Sequence, residues 1–145
     1  MSGYPTLKQI QEAKEKLRSL IVETPAHPWH DPWLSDRIGH STEVFVKLEL
    51  LQVTGTFKPR GALNVMLNLD KSQLNRGVTT VSAGNHAIAT AYASKVLGTT
   101  AKVVMPKNAN PLRMQMARDL GAEIDLTDNP HNAFARVEQI EQEEG

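Results

Sequence analysis

The sequence predicts an α/β fold in which parallel strands alternate with helices. From residue 78 onward, short apolar runs alternate with segments of helical character. Asn110-Pro111 and Asn129-Pro130 each join a capping residue to a proline suited to a first helical position, and Gly98 follows a helix where a C-terminal cap is expected. Because parallel strands need crossover connections, this βα alternation indicates a parallel sheet.

One helix and one strand are expected before this series. Thr6 and Gln9 have the spacing of a capping box, which predicts a helix over residues 6–22. Residues 24–41 are rich in proline, tryptophan, histidine and aspartate and are predicted to be mostly loop. Residues 43–50 alternate apolar and polar side chains, as a half-buried strand does. The apolar side of the first helix is expected to comprise Leu7, Ile10, Ala13, Leu17, Leu20 and Ile21.

The remaining elements follow from the same patterns. They are a helix from Lys58-Pro59 to about residue 69, strands at 78–83, 101–105 and 123–127, and helices at 86–97, after Asn110 and after Asn129. The chain ends on Glu143-Glu144-Gly145, within the last of these helices. A further strand would normally follow, and acidic side chains are unfavourable at a helix C-terminus. We therefore expect the chain to be the front part of a larger protein.

Composition excludes several classes of function. Lysine plus arginine and aspartate plus glutamate both number 16, so a nucleic-acid partner is not expected. The absence of cysteine excludes disulfides, cysteine-ligated zinc and a thiol nucleophile, and no metal site is expected. No signal peptide begins the sequence, and no apolar run approaches the roughly 20 residues of a membrane helix. We expect a soluble, cytoplasmic protein without a membrane partner.

The segment Thr56-Phe57-Lys58-Pro59-Arg60-Gly61-Ala62 places a lysine where a loop becomes a helix. A lysine amine attacks a carbonyl only when it is neutral, and the positive end of a helix dipole favours the neutral form. Arg60 would strengthen this effect if its side chain lay near Lys58. The alternative is an ordinary surface lysine beside a helix start.

The segment Ser82-Ala83-Gly84-Asn85-His86-Ala87 forms a turn between a strand and a helix. Gly84 permits a close backbone approach or a positive φ, and the first N–H groups of the helix are free to hold a carboxylate. The Asn85 amide can hydrogen-bond a ring hydroxyl. The alternatives are an ordinary turn with an asparagine cap and, for His86, a structural role.

These residues carry a resemblance to a known family. The cofactor-lysine region of fold type II pyridoxal-phosphate enzymes, in the threonine/serine dehydratase and serine racemase branch, is similar to residues 45–49, Gln52 and residues 54–62. The family's cofactor and substrate loop resembles residues 82–87, and the match continues through Val104-Met105-Pro106-Lys107, Arg113 and Gly121-Ala122-Glu123. The resemblance implies the tryptophan synthase beta-like fold, incomplete at the C-terminus. It assigns residues 1–62 to the start of a large domain that contains the cofactor lysine, and residues 63–145 mostly to a small domain.

By this resemblance, Lys58 binds the aldehyde of pyridoxal 5'-phosphate as a Schiff base and later removes the substrate α-proton. Phe57 packs beside the cofactor ring, and Asn85 reaches its phenolic oxygen; a core aromatic is the alternative for Phe57. Ser82, Gly84, Asn85 and His86 frame the substrate carboxylate. The implied reaction is an ammonia-lyase (dehydratase) reaction that converts a β-hydroxy amino acid, such as L-threonine or L-serine, to a 2-oxo acid and ammonia.

Two features refine this expectation. Racemases of the family resemble Ser-Ser-Gly-Asn-His, in which the second serine protonates the opposite face of the substrate, whereas this chain has Ala83. A methyl group donates no proton, so dehydration is favoured over racemisation. Pro59 also departs from the aliphatic residue that is frequent after the family's lysine.

The resemblance also implies parts of a site that these residues do not contain. The glycine-rich phosphate loop and the residue facing the pyridine nitrogen lie further along in the family. We therefore expect the 145-residue chain alone to be inactive, and the full-length protein to be a homo-oligomer. The alternative is a non-catalytic remnant or ligand-binding module of the same fold.

Overall fold

A computed structural model describes residues 3–129 and 132–144 of the chain. The helices are α1 (Leu7–Leu17), α2 (Pro32–Ile38), α3 (Lys58–Met66), α4 (Lys71–Arg76), α5 (Asn85–Leu97), α6 (Pro111–Asp119) and α7 (Asn132–Glu144). The strands are β1 (Ala26–Pro28), β2 (Phe45–Lys47), β3 (Val78–Val81), β4 (Ala101–Pro106) and β5 (Glu123–Thr127). A short 3-10 helix covers Glu49–Leu51.

The predicted α/β fold with a parallel sheet is confirmed. β4 pairs in parallel with β3 on one side and with β5 on the other, so the sheet order is β3-β4-β5. β4 is central, and its Val103, Val104 and Met105 are fully buried. α5 and α6 pack against it through small residues, among them Ala91 and Ala117, which allows close approach of the helix backbones.

A second buried cluster joins the two parts of the chain. Leu17 of α1 and Leu63 and Met66 of α3 pack against Ala89 and Ala93 of α5. This packing attaches the α3 helix, which begins at Lys58, to the helix that follows the Ser82–His86 turn. The position of the lysine relative to that turn is therefore set by a shared core.

The first helix is shorter than predicted. Its capping box is present, since the Gln9 N–H donates to Thr6 Oγ1 at 3.3 Å and the Thr6 N–H donates to Gln9 Oε1 at 2.8 Å. The helix nevertheless ends at Leu17. The predicted last residue, Val22, is instead paired through its backbone N–H and C=O with the side chain of Gln52, each at 2.8 Å. Its expected apolar side is only partly covered: Leu17 is buried, while Leu7 and Ile10 are exposed.

The half-buried strand expected at residues 43–50 is wrong in length and burial. β2 spans three residues, all exposed, and pairs antiparallel with β1 in a two-stranded ribbon. A ribbon outside the main sheet has no second layer to cover it, so alternating side chains stay exposed. The chain then turns into the 3-10 helix rather than continuing as a strand.

Two helices were not predicted, although both carry a capping signature. α2 lies within the expected loop, and Asp31 caps it by accepting from the Leu34 N–H at 3.1 Å, with Pro32 as its first residue. α4 begins with a capping box in which Asp70 and Gln73 exchange hydrogen bonds. Both helices have fewer than eight residues, so their hydrophobic periodicity is too short to be recognised.

The last helix begins at Asn132, and the Pro130 of the expected Asn129-Pro130 entry lies outside the described residues, as does Gly145. The acidic side chains of its last turn are paired: Glu144 with Lys102 at 2.5 Å, and Glu143 with Arg136 at 3.6 Å. These ion pairs offset their unfavourable position in the helix dipole. Over the described ranges, no helix has the length and apolar character needed to cross a membrane.

Candidate active site

Lys58 is the first residue of α3, as the sequence predicted. Thr56 orients this turn by accepting a hydrogen bond from the Lys58 N–H at 3.3 Å, and Pro59 is buried at the second helical position, where no backbone donor is needed. The Lys58 side chain is exposed. Within the described ranges its amine forms no ion pair with any carboxylate, so it is available to a ligand.

Phe57 lies beside this amine. The Lys58 Nζ is 5.0 Å from the centroid of the Phe57 ring. Phe57 is 58% exposed, so its alternative interpretation as a core aromatic is wrong. The exposed ring offers a flat apolar surface next to the amine, as a bound aromatic ring requires.

Lys58 and His86 open onto the same cavity, which has a volume of about 510 Å³. Its walls come from α3, β3 and the start of α5, and it also includes Phe57. The apolar part of the lining comprises Ala62, Val65, Met66, Leu69 and Val78. Ser82, Gly84 and Asn85 do not line this cavity, so the structure brings together only part of the predicted site there.

The electrostatics of His86 reflect its position near Lys58. Partial desolvation of the imidazole is the larger cause, and the positive charge of Lys58 the smaller, of a pKa below the usual value of 6.5. A neutral imidazole is therefore favoured at neutral pH. The structural role considered for His86 is not evident, because its side chain is exposed and carries no hydrogen bond to another described residue.

The Ser82–His86 turn presents free backbone donors at the start of α5. The alternative interpretation, a turn with an asparagine cap, is wrong: Gly84 occupies the capping position, no side chain caps the helix, and Asn85 is the first helical residue. The N–H groups of Asn85 and His86 precede the first intrahelical bond and are unpaired in the described part of the chain. The Gly84 N–H is occupied, because it donates to Ser82 Oγ at 3.2 Å.

Gly84 serves a close approach rather than a positive φ. Its φ is −136°, a conformation open to any residue. A Cβ placed there would lie 3.2 Å from Nη1 of Arg113, a side chain to which the sequence pattern assigned no role. The predicted strand order could have indicated that Arg113 lies near Gly84, because helices that follow neighbouring parallel strands begin at the same edge of the sheet.

Arg60 is bound to a carboxylate from the 3-10 helix. Its guanidinium is bound to the carboxylate of Glu49, with Nε and Nη2 donating at 2.9 and 2.8 Å. These hydrogen bonds lower the pKa of Glu49 to about 2. An effect of Arg60 on Lys58, conditional on a short distance between their side chains, stays a prediction.

A larger cavity of about 830 Å³ lies beside α1 and does not include the predicted site residues. It is bordered by exposed apolar side chains such as Tyr4 and Ile10. Both lysine amines that border it are engaged, Lys14 by the Glu23 carboxylate and Lys47 by the Thr24 carbonyl. The described residues also contain no cluster of three His, Asp or Glu side chains that could hold a metal ion.

Comparison with known proteins shows the family of the chain. A match to the pyridoxal-phosphate dependent enzymes covers residues 17–145, which is most of the chain. The chain belongs to this family. Pyridoxal 5'-phosphate is accordingly its cofactor, and the tryptophan synthase beta-like fold expected from the sequence is confirmed.

Several members of the family are similar to this chain over most of its length. The chain is 55% identical over 141 residues to phenylserine dehydratase of Ralstonia pickettii, covering 97% of the chain and 42% of that protein. It is 39% identical to L-threonine ammonia-lyase of Geobacter sulfurreducens, over 94% of the chain and 33% of that protein. The structure of maize serine racemase superposes with a TM-score of 0.82 and 31% identity, over 94% of the chain and 40% of the racemase chain. The chain thus spans about two fifths or less of the length of these relatives.

The residues present fit the cofactor. An exposed amine without a carboxylate partner suits the aldehyde, and the Phe57 ring beside it suits an aromatic ring. The amide of Asn85 makes no hydrogen bond to the described residues and is available to a ring hydroxyl.

Proposed function

We propose that this chain supplies the lysine and the carboxylate site of a pyridoxal-phosphate-dependent ammonia-lyase that dehydrates a β-hydroxy amino acid. The observation that carries the proposal is the placement of Lys58. Its unpaired amine shares a cavity with His86, at the start of the helix whose first N–H groups are free. The names of the dehydratase and ammonia-lyase relatives support the same reaction class.

In this proposal each residue of the chain has a separate task. Lys58 holds the cofactor through its aldehyde, and once released its amine removes the proton from the substrate α-carbon. Phe57 packs against the cofactor ring, and the Asn85 amide hydrogen-bonds its hydroxyl. When bound, pyridoxal phosphate supplies an electron sink for the charge left by that proton.

The remaining residues of the turn hold the substrate. The N–H groups of Asn85 and His86 donate to its carboxylate, and Ser82 shapes the turn by accepting from the Gly84 N–H. Loss of the β-hydroxyl with a proton releases water. Hydrolysis then consumes one water and yields a 2-oxo acid and ammonia, so the overall reaction balances without an oxidant.

Ala83 supports dehydration rather than racemisation. Its side chain is partly buried against the cluster beneath the sheet, and a methyl group offers no proton to the second face of the substrate. Unreacted L-serine should therefore remain L-serine in the active protein. Detection of D-serine by chiral chromatography would contradict this assignment.

Three β-hydroxy amino acids are the candidate substrates. L-Threonine and L-serine follow from the sequence resemblance, and 3-phenylserine is added because a 55% identical relative is a phenylserine dehydratase. The apolar walls that Val65 and Met66 give the shared cavity are compatible with an aryl group. Release of 2-oxo acid and ammonia from each compound would rank them.

A non-catalytic module of the same fold is the alternative, and covalent trapping of the cofactor separates the two. The purified chain is incubated with pyridoxal phosphate, treated with borohydride and mapped by peptide mass spectrometry. We expect labelling at Lys58 and its loss in Lys58→Ala. Lys71→Ala is the matched control, because Lys71 is also exposed and also begins a helix.

Equal labelling of Lys58 and Lys71 would contradict a dedicated cofactor lysine. Absence of labelling at Lys58, with no 2-oxo acid formed by any longer protein that contains this chain, would support the non-catalytic module.

We also retain the domain division near residue 62 as a proposal. The sheet β3-β4-β5 and its helices lie within residues 63–145, which supports a small domain there. The cluster that joins Leu17 and Leu63 to Ala89 ties residues 1–62 to it, so the first part is not expected to fold alone. A homo-oligomer located in the cytoplasm completes the proposal, testable by light scattering and by cell fractionation.

A further inference from the structure

Arg113 lies against the turn that the proposed function assigns to the substrate. β3 and β4 are neighbouring parallel strands, and each passes into a helix at the same edge of the sheet. α5 therefore begins beside α6, and Arg113 is the third residue of α6. A Cβ on Gly84 would lie 3.2 Å from Arg113 Nη1, so the guanidinium lies directly against the turn at this glycine.

The charge of Arg113 is not neutralised by the described part of the chain. Its guanidinium forms no ion pair and no side-chain hydrogen bond there, while its backbone N–H donates to Asn110 Oδ1 at 3.4 Å. Lys107, in the loop before α6, is paired with Asp128 at 2.7 Å. Lys102 and Arg136 are also paired with carboxylates. Arg113, which is exposed, has no such partner in the described part of the chain.

Its position on the helix is also electrostatically unfavourable. A cation in a first turn faces the positive end of the helix dipole, and α6 has no acidic residue there to compensate. The uncapped start of α5 adds a second positive end close by. An anion bound between the two helix starts and the guanidinium would be stabilised by all three.

We propose that Arg113 binds the carboxylate of the amino-acid substrate, together with the N–H groups of Asn85 and His86. This inference rests on the proposed function, which places the carboxylate at this turn. A guanidinium presents two parallel donors that match the two oxygens of a carboxylate, so it orients the substrate as well as attracting it. Arg113 is thereby a determinant of specificity for α-amino acids over uncharged analogues.

The test measures binding in the absence of cofactor. The ¹⁵N-labelled chain is titrated with L-serine, and the amide resonances of Asn85 and His86 are followed by NMR. L-Serinamide, which lacks the carboxylate, is the ligand control. We expect both resonances to shift with L-serine but not with L-serinamide. Arg113→Gln should weaken the affinity for L-serine about tenfold, as loss of one charge-assisted hydrogen-bond pair predicts.

Two further variants sharpen the result. Arg118→Gln removes the same charge from the last turn of the same helix and should leave L-serine affinity unchanged. Gly84→Ala places a methyl group where it contacts the guanidinium and should weaken binding while Arg113 is intact. Thermal unfolding of each variant shows whether the fold is retained.

Unchanged affinity in Arg113→Gln, or no response of wild type to L-serine, would overturn the assignment. So would inorganic phosphate competing more strongly than L-serine, which would make the turn a phosphate site. Lysine trapping at Lys58 does not depend on these outcomes. Failure of that trapping with intact L-serine binding would instead contradict the proposed function.

Discussion

The carboxylate of Glu49 accepts two parallel hydrogen bonds from the guanidinium of Arg60, at 2.9 and 2.8 Å. Thr24 Oγ1 donates a third at 2.6 Å to the same carboxylate. These contacts join the 3-10 helix to the first turn of α3, two residues after Lys58. The alignment of the helix that begins at Lys58 therefore depends on a partly buried ion pair. Loss of either partner should lower the stability of the fold.

Stability should fall in acid through Glu49. The hydrogen bonds from Arg60 lower the pKa of Glu49 from 4.5 to about 2. Because the folded-state pKa is depressed, this contribution is fully present above about pH 4.5 and is lost as the pH falls through about 2. The difference corresponds to at most about 3 kcal/mol. Urea unfolding of wild type and Glu49→Gln between pH 6 and pH 2 measures it, because the variant lacks this titration.

Glu23→Gln is the control for that experiment. Glu23 also has a lowered pKa through Lys14, but its side chain is 77% exposed, so solvent screens the interaction. A pH dependence in Glu49→Gln as steep as that of wild type would show that other carboxylates carry the acid sensitivity.

Arg60→Ala should destabilise the fold by about 3 kcal/mol, because it leaves the Glu49 carboxylate without its partner. Arg60→Lys should recover only part of this loss, since an ammonium cannot reproduce the paired donors. Denaturant midpoints provide the comparison. Arg18→Ala serves as the exposed control, because the Arg18–Glu15 pair is at the surface; a similar loss in both alanine variants would refute a special role for Arg60.

Alanine substitutions at Gly77 and Gly121 should distinguish the cost of backbone strain from the cost of a steric clash. Both have a φ of +94°, so alanine at either position should cost about 1 kcal/mol in strain. At Gly77 the added Cβ would also lie 2.3 Å from Thr100 Oγ1, whereas nothing lies within 4 Å at Gly121. We expect Gly77→Ala to lower the unfolding free energy by about 2 kcal/mol or more. Equal losses would mean that Thr100 moves aside without cost.

The pKa of His86 should report the nearness of Lys58. In Lys58→Ala the ammonium charge is removed, so the His86 pKa should rise toward 6.5 without reaching it, because partial desolvation remains the larger cause. An NMR titration of the imidazole measures the shift. The same titration in Lys71→Ala should match wild type, and an unchanged His86 in Lys58→Ala would place the two side chains too far apart to share a site.

Local chemistry made much of this fold predictable. The caps at Thr6 and Asn110, the glycine stop at Gly98 and the strand at residues 123–127 all match the structure. The same chemistry at Asp31 and Asp70 marked two further helices that were not predicted. Caps are readable because their hydrogen bonds connect residues three apart in the chain.

Contacts between distant segments were not readable in this way. After α1, the backbone groups of Val22 pair with Gln52, thirty residues further on, instead of continuing the helix. Residues 43–50 alternate like a half-buried strand, yet the residues of β2 are exposed. The hydrogen bonds of Arg60 depend on Glu49, eleven residues earlier in the chain.

The sequence alone identified the lysine segment, the Ser82–His86 turn and the family to which they belong, because each motif consists of consecutive residues. The tertiary structure decided which groups are free to act. It commits Arg60 to Glu49, leaves the Lys58 amine unpaired and brings Arg113 against Gly84. The physical reason is that a charge is available to a ligand only when folding brings no opposite charge to it, and such pairings span parts of the chain that no local pattern connects.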